Sequence, residues 1–206
     1  MGNLHKSLQV KQLIQQENLD ICCLNETNLN PNMSSDTLNL PQNFDFLRRD
    51  RPNDSSRGGC GILINKFLKY KDLGQLESFG INTSNLSQIE AQWIHLTELD
   101  IYICSFYRSE LFCPLDIFLS YFLTCMLQLS DINGTKKVMW IGDINVDQRN
   151  INDPYYKKLD IYLRLFGLIQ PVKDITRRAY LGPILTESII DVIFTNFYSD
   201  LKMLRY

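Results

Sequence analysis

Val138-Met139-Trp140-Ile141-Gly142-Asp143-Ile144-Asn145 is an apolar run that ends in a Gly-Asp-x-Asn sequence. Four large apolar side chains in succession predict a buried β-strand. Gly142 is expected to let the backbone turn, so that Asp143 and Asn145 follow where the strand ends. Because residues two apart in an extended chain point the same way, a carboxylate and a carboxamide are expected together at the rim of a sheet. Such a pair is suited to holding a metal-bound phosphate and its attacking water.

The composition indicates one soluble globular domain over residues 1–206. The 206 residues are 45% hydrophobic and 21% charged, which is ordinary for a soluble protein with a sizeable core. The formal net charge of −2 supplies no overall basic field that would indicate nucleic acid. Any nucleic-acid contact would have to come from local basic loops, and Arg48-Arg49-Asp50-Arg51 and Arg177-Arg178 are the candidates. The alternative, that both clusters are solvated surface arginines, stays open.

The cysteines and the first residues of the chain bear on the compartment. There are 6 cysteines, without a CxxC pair and without a histidine at zinc-site spacing from a cysteine pair. Free thiols in a reducing compartment are therefore expected. The stretch Met1-Gly2-Asn3-Leu4-His5-Lys6 has no apolar signal core, and no apolar run approaches membrane-spanning length. We expect an intracellular protein, nuclear or cytoplasmic and not secreted, that does not engage a membrane.

Hydrophobic periodicity predicts an α/β domain, because strand-like apolar runs alternate with helical stripes along the chain. Gly167 is expected to stop the third helix. The predicted elements are a helix over 4–17, strands over 20–24, 44–47, 61–64, 92–96 and 101–107, a helix over 115–126, a strand over 138–141, a helix over 155–166, and a strand over 189–195.

Three acids are each joined to a strand-like apolar run: Glu26, Asp143 and Asp191. An acid at the end of a buried strand or inside it is costly unless it is paired or metal-bound. One such acid is usually a hydrogen-bonded structural residue. Three of them, with Asn145 beside one, favour a site for a hard cation such as Mg²⁺, which prefers carboxylate oxygens and works beside substrate phosphates. Such an ion could polarise a phosphoryl oxygen and stabilise the leaving oxygen.

Five motifs follow one another along the chain, and their joint order carries a family resemblance. They are Leu24-Asn25-Glu26-Thr27, Arg51 with the Gly58-Gly59-Cys60-Gly61 loop, Ser105-Phe106-Tyr107-Arg108, Gly142-Asp143-Ile144-Asn145, and Ser188-Ile189-Ile190-Asp191. This order resembles the exonuclease–endonuclease–phosphatase superfamily. Two further stretches resemble the apurinic-type endonuclease domain of non-LTR retrotransposons. They are Phe166-Gly167-Leu168-Ile169-Gln170 followed by Thr176-Arg177, and Asp191-Val192-Ile193-Phe194-Thr195-Asn196.

The resemblance implies a fold and a chemistry. The implied fold is α/β, with two packed mixed β-sheets flanked by helices in a four-layer α/β sandwich. The implied domain covers residues 1–206 and is expected to be incomplete at both ends, without its first and last strands. The implied activity is metal-dependent phosphodiester hydrolysis by a DNA-nicking endonuclease of retroelement origin. Its cofactor would be Mg²⁺ or Mn²⁺, its partner the DNA phosphodiester backbone, and its state a monomer with no small-molecule cofactor.

The resemblance also implies catalytic roles for five residues. Glu26 matches the metal-binding glutamate, and Tyr107 matches the tyrosine that lies against the scissile phosphate. Asp143 matches the aspartate that orients or deprotonates the attacking water, and Asn145 matches the asparagine that holds water and phosphate. Asp191 matches the aspartate that fixes and charges a catalytic histidine. The chemistry is in-line attack of water on phosphorus, with charge stabilised by metal and hydrogen-bond donors.

Three more residues are expected to bind substrate: Arg108, Arg177 and Ser188. In the resemblance, Arg177 would lie near a DNA phosphate. The residues themselves leave structural alternatives open. Tyr107 could be a core or rim aromatic, Asn145 a turn residue, and Arg177 an ordinary surface arginine.

The chain departs from the family pattern at two points. No apolar strand precedes Asn3, so the first asparagine of the pattern has no good counterpart. The closing Ser-Asp-His is not found either, because Ser199-Asp200 is followed by Leu201. The 2 histidines, His5 and His95, lie elsewhere in the pattern. A histidine of this kind is typically worth about 10²–10⁴ in rate, so weak or absent activity is expected.

Two other functions stay open. One is a phosphatase or phospholipase of the same superfamily, acting on inositol phosphates or sphingomyelin. The other is a non-catalytic remnant that binds nucleic acid, or another protein, without cleavage.

Overall fold

The computed structural model describes four ranges of the chain: residues 2–51, 58–76, 87–131 and 134–197. The elements in these ranges are α1 (Gly2–Glu17), β1 (Ile21–Asn25), a 3-10 turn (Ser35–Leu38), β2 (Phe44–Arg49), β3 (Cys60–Asn65), β4 (Tyr70–Gly74), β5 (Glu90–Leu96), β6 (Ile101–Tyr107), α2 (Leu115–Gln128), β7 (Ser130–Asp131), β8 (Gly134–Thr135), β9 (Lys137–Asp143), α3 (Pro154–Leu165), β10 (Arg177–Leu181), β11 (Ile184–Ser188) and β12 (Asp191–Thr195).

Two β-sheets form the centre of the molecule. A five-stranded sheet has the order β12-β9-β6-β5-β4, in which β6 and β9 are parallel and the other neighbours antiparallel. A three-stranded sheet has the order β1-β3-β2, and in the described part of the chain it is antiparallel throughout. The pairs β7–β8 and β10–β11 form separate hairpins.

The layers are held together by three apolar clusters. Between α1 and the three-stranded sheet, Ile14 packs with Phe44 and Leu63. Side chains of β3, β5, β6 and β9 fill the space between the two sheets. On the outer face of the five-stranded sheet, α2 and α3 cover a large cluster that includes Trp93 and Trp140, whose ring centroids are 4.6 Å apart. The expected four-layer α/β sandwich is confirmed.

The local sequence of α3 explains where this helix begins and ends. The Asp153 side chain accepts hydrogen bonds from the backbone N–H groups of Tyr155 and Tyr156, and so caps the amino end. Pro154 occupies the first turn, where its missing N–H costs nothing. At the carboxyl end Gly167 adopts φ +64°, the left-handed conformation that closes a helix. The predicted stop at Gly167 is confirmed.

The expectation that Gly142 turns the chain is wrong. Strand β9 continues through Gly142 to Asp143, and the turn comes two residues later, at Asn145 with φ +50°. Glycine is needed at 142 for a different reason. A Cβ there would lie 1.9 Å from the carbonyl oxygen of Phe106 on β6, so only glycine allows this close backbone approach.

All 6 cysteines are free thiols, and 4 of them are buried. Of the helices in the described ranges, none is both long enough and apolar enough to cross a bilayer.

Candidate active site

A row of polar side chains crosses four neighbouring strands at one rim of the five-stranded sheet. Glu90 on β5 pairs with Tyr107 on β6, Tyr107 pairs with Asp143 on β9, and Asp143 pairs with Asp191 on β12. Residues directly opposite one another in a sheet project from the same face. Each of the four stands at the first or last position of its strand. We call these four residues the rim row.

Glu26 reaches the rim row from the other sheet. It follows the last residue of β1 and is held at φ +49°, which ends the strand. Its carboxylate is exposed, and its Oε1 accepts a 2.7 Å hydrogen bond from the Tyr107 hydroxyl. Burial, followed by this hydrogen bond and the charge of Glu26, raises the pKa of Tyr107 above its ordinary value. Tyr107 therefore keeps its proton and fixes the direction of the Glu26 carboxylate.

The Asp143 carboxylate has a strongly raised pKa. Burial raises its pKa from 3.8 to about 7, and the neighbouring charges of Asp191 and Glu26 act in the same direction. The backbone N–H of Asn145 and the charge of Arg177 oppose this rise in pKa. Three of the predicted acids thus lie close enough to repel one another. A carboxylate tuned toward neutral pH is typical of a general base.

Asn145 is fixed mainly by the backbone around it. Its N–H donates a 2.8 Å hydrogen bond to Oδ1 of Asp143, an Asx turn that holds that carboxylate. Its Nδ2 donates a 2.8 Å hydrogen bond to the carbonyl of Arg108. Asn145 therefore serves as a turn residue, which is the structural alternative that the sequence left open. It also lies beside Asp143.

Among the described side chains, the hydrogen-bond partner of Asp191 is a threonine, Thr176, and not a histidine. The Thr176 hydroxyl accepts hydrogen bonds from the N–H groups of Ile190 (3.0 Å) and Asp191 (3.1 Å). Burial raises the pKa of Asp191, while a side-chain hydrogen bond with Thr176 lowers it; the net shift is upward. His95 lies at the other end of the β5–β6 hairpin, with its Nε2 2.8 Å from Oδ1 of Asp100.

The three residues expected to bind substrate lie in different settings. Arg108 is 4% exposed, and its guanidinium donates to the carbonyls of Ile144 (2.7 Å), Cys113 (3.2 Å) and Asn145 (3.3 Å). This placement favours bracing of the turn after β9 over the substrate contact predicted from the sequence.

Arg177 and Ser188 face each other across the β10–β11 hairpin. Arg177 is exposed, and its positive charge lowers the pKa values of Asp143 and Asp191. The carbonyl of Ser188 accepts a 3.0 Å hydrogen bond from the N–H of Thr176, so this serine anchors the base of the hairpin. Of the three, Arg177 is best placed to meet a phosphate.

Asn25 joins the two sheets at the site, a role that the sequence did not reveal. With its amide oriented to satisfy both partners, its nitrogen donates to the Phe106 carbonyl (3.0 Å) and its oxygen accepts from the Asp143 N–H (3.0 Å). The absence of a side chain at Gly142 leaves room for that carbonyl. The end of β1 is thereby fastened to the ends of β6 and β9.

Glu90 is the member of the rim row that sequence reasoning missed. It is 2% exposed and receives hydrogen bonds from the Gly59 N–H (2.9 Å) and from Nε of Arg51. The signal was present, because Glu90 is an acid directly ahead of the strand-like stretch Ala91–Leu96, which contains Trp93 and Ile94. The strand was predicted to begin at residue 92, which left Glu90 outside it.

The donor set fits an ion that the substrate helps to hold. Within the described ranges, no three His, Cys, Asp or Glu side chains come together as a ready metal cage. Mg²⁺ commonly uses only one or two carboxylates, with waters and phosphate oxygens completing its shell. Glu26 offers an exposed carboxylate of this kind, in the field of Asp143 and Asp191.

A cavity of about 340 Å³ lies beside the rim row. Asn25, Gly142, Thr176 and Asp191 are among its lining residues, together with residues 171–175 and further side chains of β1, β9 and β12. The site therefore opens onto a cleft between the end of β1 and the β12 side of the larger sheet.

Comparison with known proteins identifies the fold. Residues 1–88 match the model of the Endonuclease/Exonuclease/phosphatase family. No curated protein matches the chain. Several solved structures match it, among them two endonucleases and one catalytic domain.

The endonuclease domain of TRAS1, a telomere-specific non-LTR retrotransposon, is 14% identical with a TM-score of 0.66, over 95% of this chain and 80% of that one. An AP endonuclease from Archaeoglobus fulgidus is 14% identical with a TM-score of 0.61, over 92% and 81%. The Xenopus laevis APE2 catalytic domain is 12% identical with a TM-score of 0.60, over 94% and 80%. At these identities the likeness shows the fold, which is the fold that the motif resemblance implied.

Proposed function

Because residues 1–88 match the Endonuclease/Exonuclease/phosphatase family and the fold extends over nearly the whole chain, we propose that this protein is a slow, metal-dependent hydrolase that nicks DNA. One observation carries the proposal. Tyr107, Asp143 and Asp191 stand in one row across three strands, and Glu26 of the other sheet is bonded to Tyr107. The row and Glu26 together bring residues from four of the sequence motifs to one rim.

Asp143 is proposed as the group that activates water. Its raised pKa, about 7, makes it a competent proton acceptor near neutral pH. The N–H of Asn145 holds one of its oxygens, so the carboxylate is oriented before substrate arrives. Water deprotonated in this way attacks phosphorus in line with the leaving sugar oxygen.

Glu26 is proposed to hold Mg²⁺ or Mn²⁺ together with phosphate oxygens of the substrate. When bound, the ion would supply charge stabilisation on the phosphoryl and leaving oxygens. The contribution of the protein is orientation, because Tyr107 donates to Oε1 of Glu26 and fixes the direction of that carboxylate.

DNA would approach from the side of the β10–β11 hairpin. Arg177 is exposed at the base of that hairpin and is proposed to pair with a backbone phosphate. The chain as a whole carries a formal net charge of −2, so its attraction to DNA depends on such local positive groups.

Slow turnover is expected because Asp191 contacts Thr176 and no described histidine. A hydroxyl cannot replace an imidazolium that stabilises phosphorane charge or transfers a proton. We expect nicking below that of a family member with its histidine by about 10²–10⁴.

Conversion of supercoiled plasmid to nicked circles by the purified protein tests the proposal. We expect slow nicking in Mg²⁺ that stops on addition of EDTA and falls at least about 10²-fold in Asp143→Ala. The matched control is Asp160→Ala, which removes a partly exposed acid of α3 that pairs with Arg164 at 2.7 Å. The control should nick like the unaltered protein.

Three outcomes would overturn the proposal. Nicking that persists in Asp143→Ala would indicate a contaminant. Hydrolysis of inositol phosphates without nicking would favour the phosphatase alternative. Salt-dependent DNA binding with no cleavage at protein excess would favour the non-catalytic remnant.

We further propose a retroelement origin. The Thr176-Arg177 and Phe194-Thr195-Asn196 stretches support it, as does the likeness of the fold to the TRAS1 endonuclease domain. Translation of the genomic DNA flanking the gene tests this origin. A reverse transcriptase reading frame downstream is expected, and flanks without any retroelement coding sequence would contradict the proposal.

A further inference from the structure

Arg51 and Glu90 form a buried ion pair beside the site. The side chains are 12% and 1% exposed, respectively. One oxygen of Glu90 accepts from Nε of Arg51, and the other accepts from the N–H of Gly59 at 2.9 Å. Both carboxylate oxygens are therefore committed to partners that precede β3 in the chain, Arg51 and Gly59.

The Gly58–Gly59 turn is hydrogen-bonded to the segment that follows Glu26. Gly58 and Gly59 have φ values of +89° and +83°, and the Arg51 guanidinium fills the space that a Cβ of Gly58 would need. The Thr27 N–H donates to the carbonyl of Gly59 (3.2 Å), and the Asn28 N–H donates to the carbonyl of Gly58 (2.8 Å). The position of residues 27–28, and so of Glu26, depends on this turn.

The pair also borders Tyr107. Glu90 is opposite Tyr107 in the β5–β6 register, and the Arg51 guanidinium lies 6.0 Å from the Tyr107 ring centroid and 4.6 Å from that of Phe112. The ion pair thus contacts the Gly58–Gly59 turn on one side and neighbours Tyr107 on the other.

We propose that Arg51 and Glu90 are positioning residues, which set the place of Glu26 and the orientation of Tyr107. The inference rests on the proposed nicking activity, with Glu26 as its metal-binding carboxylate. Neither residue touches substrate in this scheme. Their effect passes through the Gly58–Gly59 turn on one side and the Tyr107 ring on the other.

A purely stabilising role is the competing explanation, and the behaviour of buried ion pairs separates the two. Removal of one partner leaves an uncompensated buried charge and destabilises strongly, whereas replacement of both by uncharged groups is often neutral. A double replacement can therefore restore stability without restoring the geometry of the turn.

The experiment compares Arg51→Met, Glu90→Gln, the double variant Arg51→Met/Glu90→Gln, and the conservative Arg51→Lys. Glu98→Gln is the control, because it breaks the exposed Lys69–Glu98 pair (2.8 Å), which lies at the far end of β5. Three quantities are measured: Tm, the rate of plasmid nicking in Mg²⁺, and hydrogen–deuterium exchange of peptides that cover residues 25–28.

We expect each single neutralising variant to lower Tm by roughly 6–20 °C, and the double variant to regain most of that loss. Nicking by the double variant should nonetheless stay depressed on the order of 10²-fold, because a catalytic group is displaced. Exchange at the Thr27 and Asn28 amides should be faster than in the unaltered protein. Arg51→Lys should nick at an intermediate rate, and Glu98→Gln should match the unaltered protein.

Recovery of nicking in step with Tm would overturn the inference, as would unchanged exchange at Thr27 and Asn28 in the double variant. The hydrogen exchange measurement does not depend on catalysis. If the unaltered protein does not nick, the proposed function fails. Exchange then decides the positioning inference alone, since faster exchange in the double variant supports it and unchanged exchange overturns it.

Discussion

Burial raises the pKa of the Asp143 carboxylate to about 7, and this pKa has a kinetic consequence. Only the ionised carboxylate can accept a proton, so the nicking rate should rise with pH up to about 7 and then level off. Asp191→Asn removes a negative charge that raises the pKa of Asp143, and should move this rise to lower pH. Plasmid nicking measured across pH 5–9 at constant Mg²⁺ checks both expectations. A rise at the same pH in both proteins would contradict them.

The same shift predicts how stability depends on pH. The folded-state pKa of Asp143 lies above its ordinary value, so between about pH 4 and pH 7 the folded state binds more protons than the unfolded state. Stability from this group is therefore lost as pH rises through that window. Asp143→Asn cannot ionise, so its Tm relative to the unaltered protein should be higher at pH 8 than at pH 4.5. Thermal unfolding in EDTA measures the difference.

Asp147 is a control whose pKa is shifted in the direction opposite to that of Asp143. Although burial raises the pKa of Asp147, hydrogen bonds from the N–H groups of Ile189 and Arg149 hold it below its ordinary value. Its stabilisation is present at neutral pH and is lost as pH falls through the folded-state pKa. Asp147→Asn should accordingly lose more stability at pH 8 than at low pH. The same trend in both variants would show that the shift at Asp143 is misassigned.

Individual residues show what the sequence could and could not predict. Glu26, Asp143 and Asp191 were found because an acid against an apolar run is conspicuous in the sequence. Arg108 was assigned to substrate because a sequence does not show that three backbone carbonyls surround a guanidinium. Glu90 was missed for a related reason, since its partner Arg51 is 39 residues away and the pairing is set by the fold.

At the scale of elements, the geometry of the site depends on where each strand ends more than on the presence of the strand. The predicted helices and the longer strands were found within a few residues, because their apolar patterns are strong. Hairpin β10–β11 was not predicted, because Tyr180, Ile184 and Leu185 are exposed and no alternation with a buried face marks its strands. Strand β9 extends two residues beyond its apolar run, and this extension brings Asp143 into register with Tyr107 and Asp191.

Gly142→Ala tests the close approach of β6 and β9. The added methyl would lie 1.9 Å from the Phe106 carbonyl, so the strands must separate, at a cost of about 1–3 kcal/mol or more. Because Asn25 bonds both that carbonyl and the Asp143 N–H, the rim row should be displaced and nicking lost. Chemical unfolding and plasmid nicking measure the two effects.

Ile141→Val is the matched control for Gly142→Ala, because it removes one methyl from the adjacent position of β9 without a backbone clash. It should cost about 0.5–1.5 kcal/mol and leave nicking unchanged. Gly142→Ala that nicks normally despite its lower stability would show that the approach of β6 and β9 does not position the site.

At the scale of the molecule, the two sheets divide the work of building the site. The five-stranded sheet supplies the rim row, and the three-stranded sheet supplies Glu26 through β1. The order of motifs along the chain predicted which residues belong together. The contacts among these residues could not be derived from the order of motifs. Those contacts depend on the parallel pairing of β6 with β9 and on the packing of one sheet over the other.

The charge of the whole molecule makes the proposed DNA binding depend on few contacts, and this dependence can be measured. A chain of formal net charge −2 gains little from its overall field, so each arginine that meets a phosphate should be visible in the salt dependence of affinity. Replacement of one such contact lowers the slope of log Kd against log salt by about 1. Arg177→Ala should show this change. Fluorescence anisotropy of a labelled duplex in EDTA, between 50 and 200 mM salt, gives the slope without cleavage.

Arg178 provides the comparison for Arg177 on the same hairpin. Its Nε lies 3.0 Å from Oε1 of Glu187, so its charge is already partly compensated within the protein. Successive residues of a strand point to opposite sides, so Arg177 and Arg178 cannot both face one phosphate backbone. Arg178→Ala should therefore change the slope less than Arg177→Ala does. Equal slopes for Arg177→Ala and the unaltered protein would place the DNA elsewhere and remove the hairpin from the proposed substrate path.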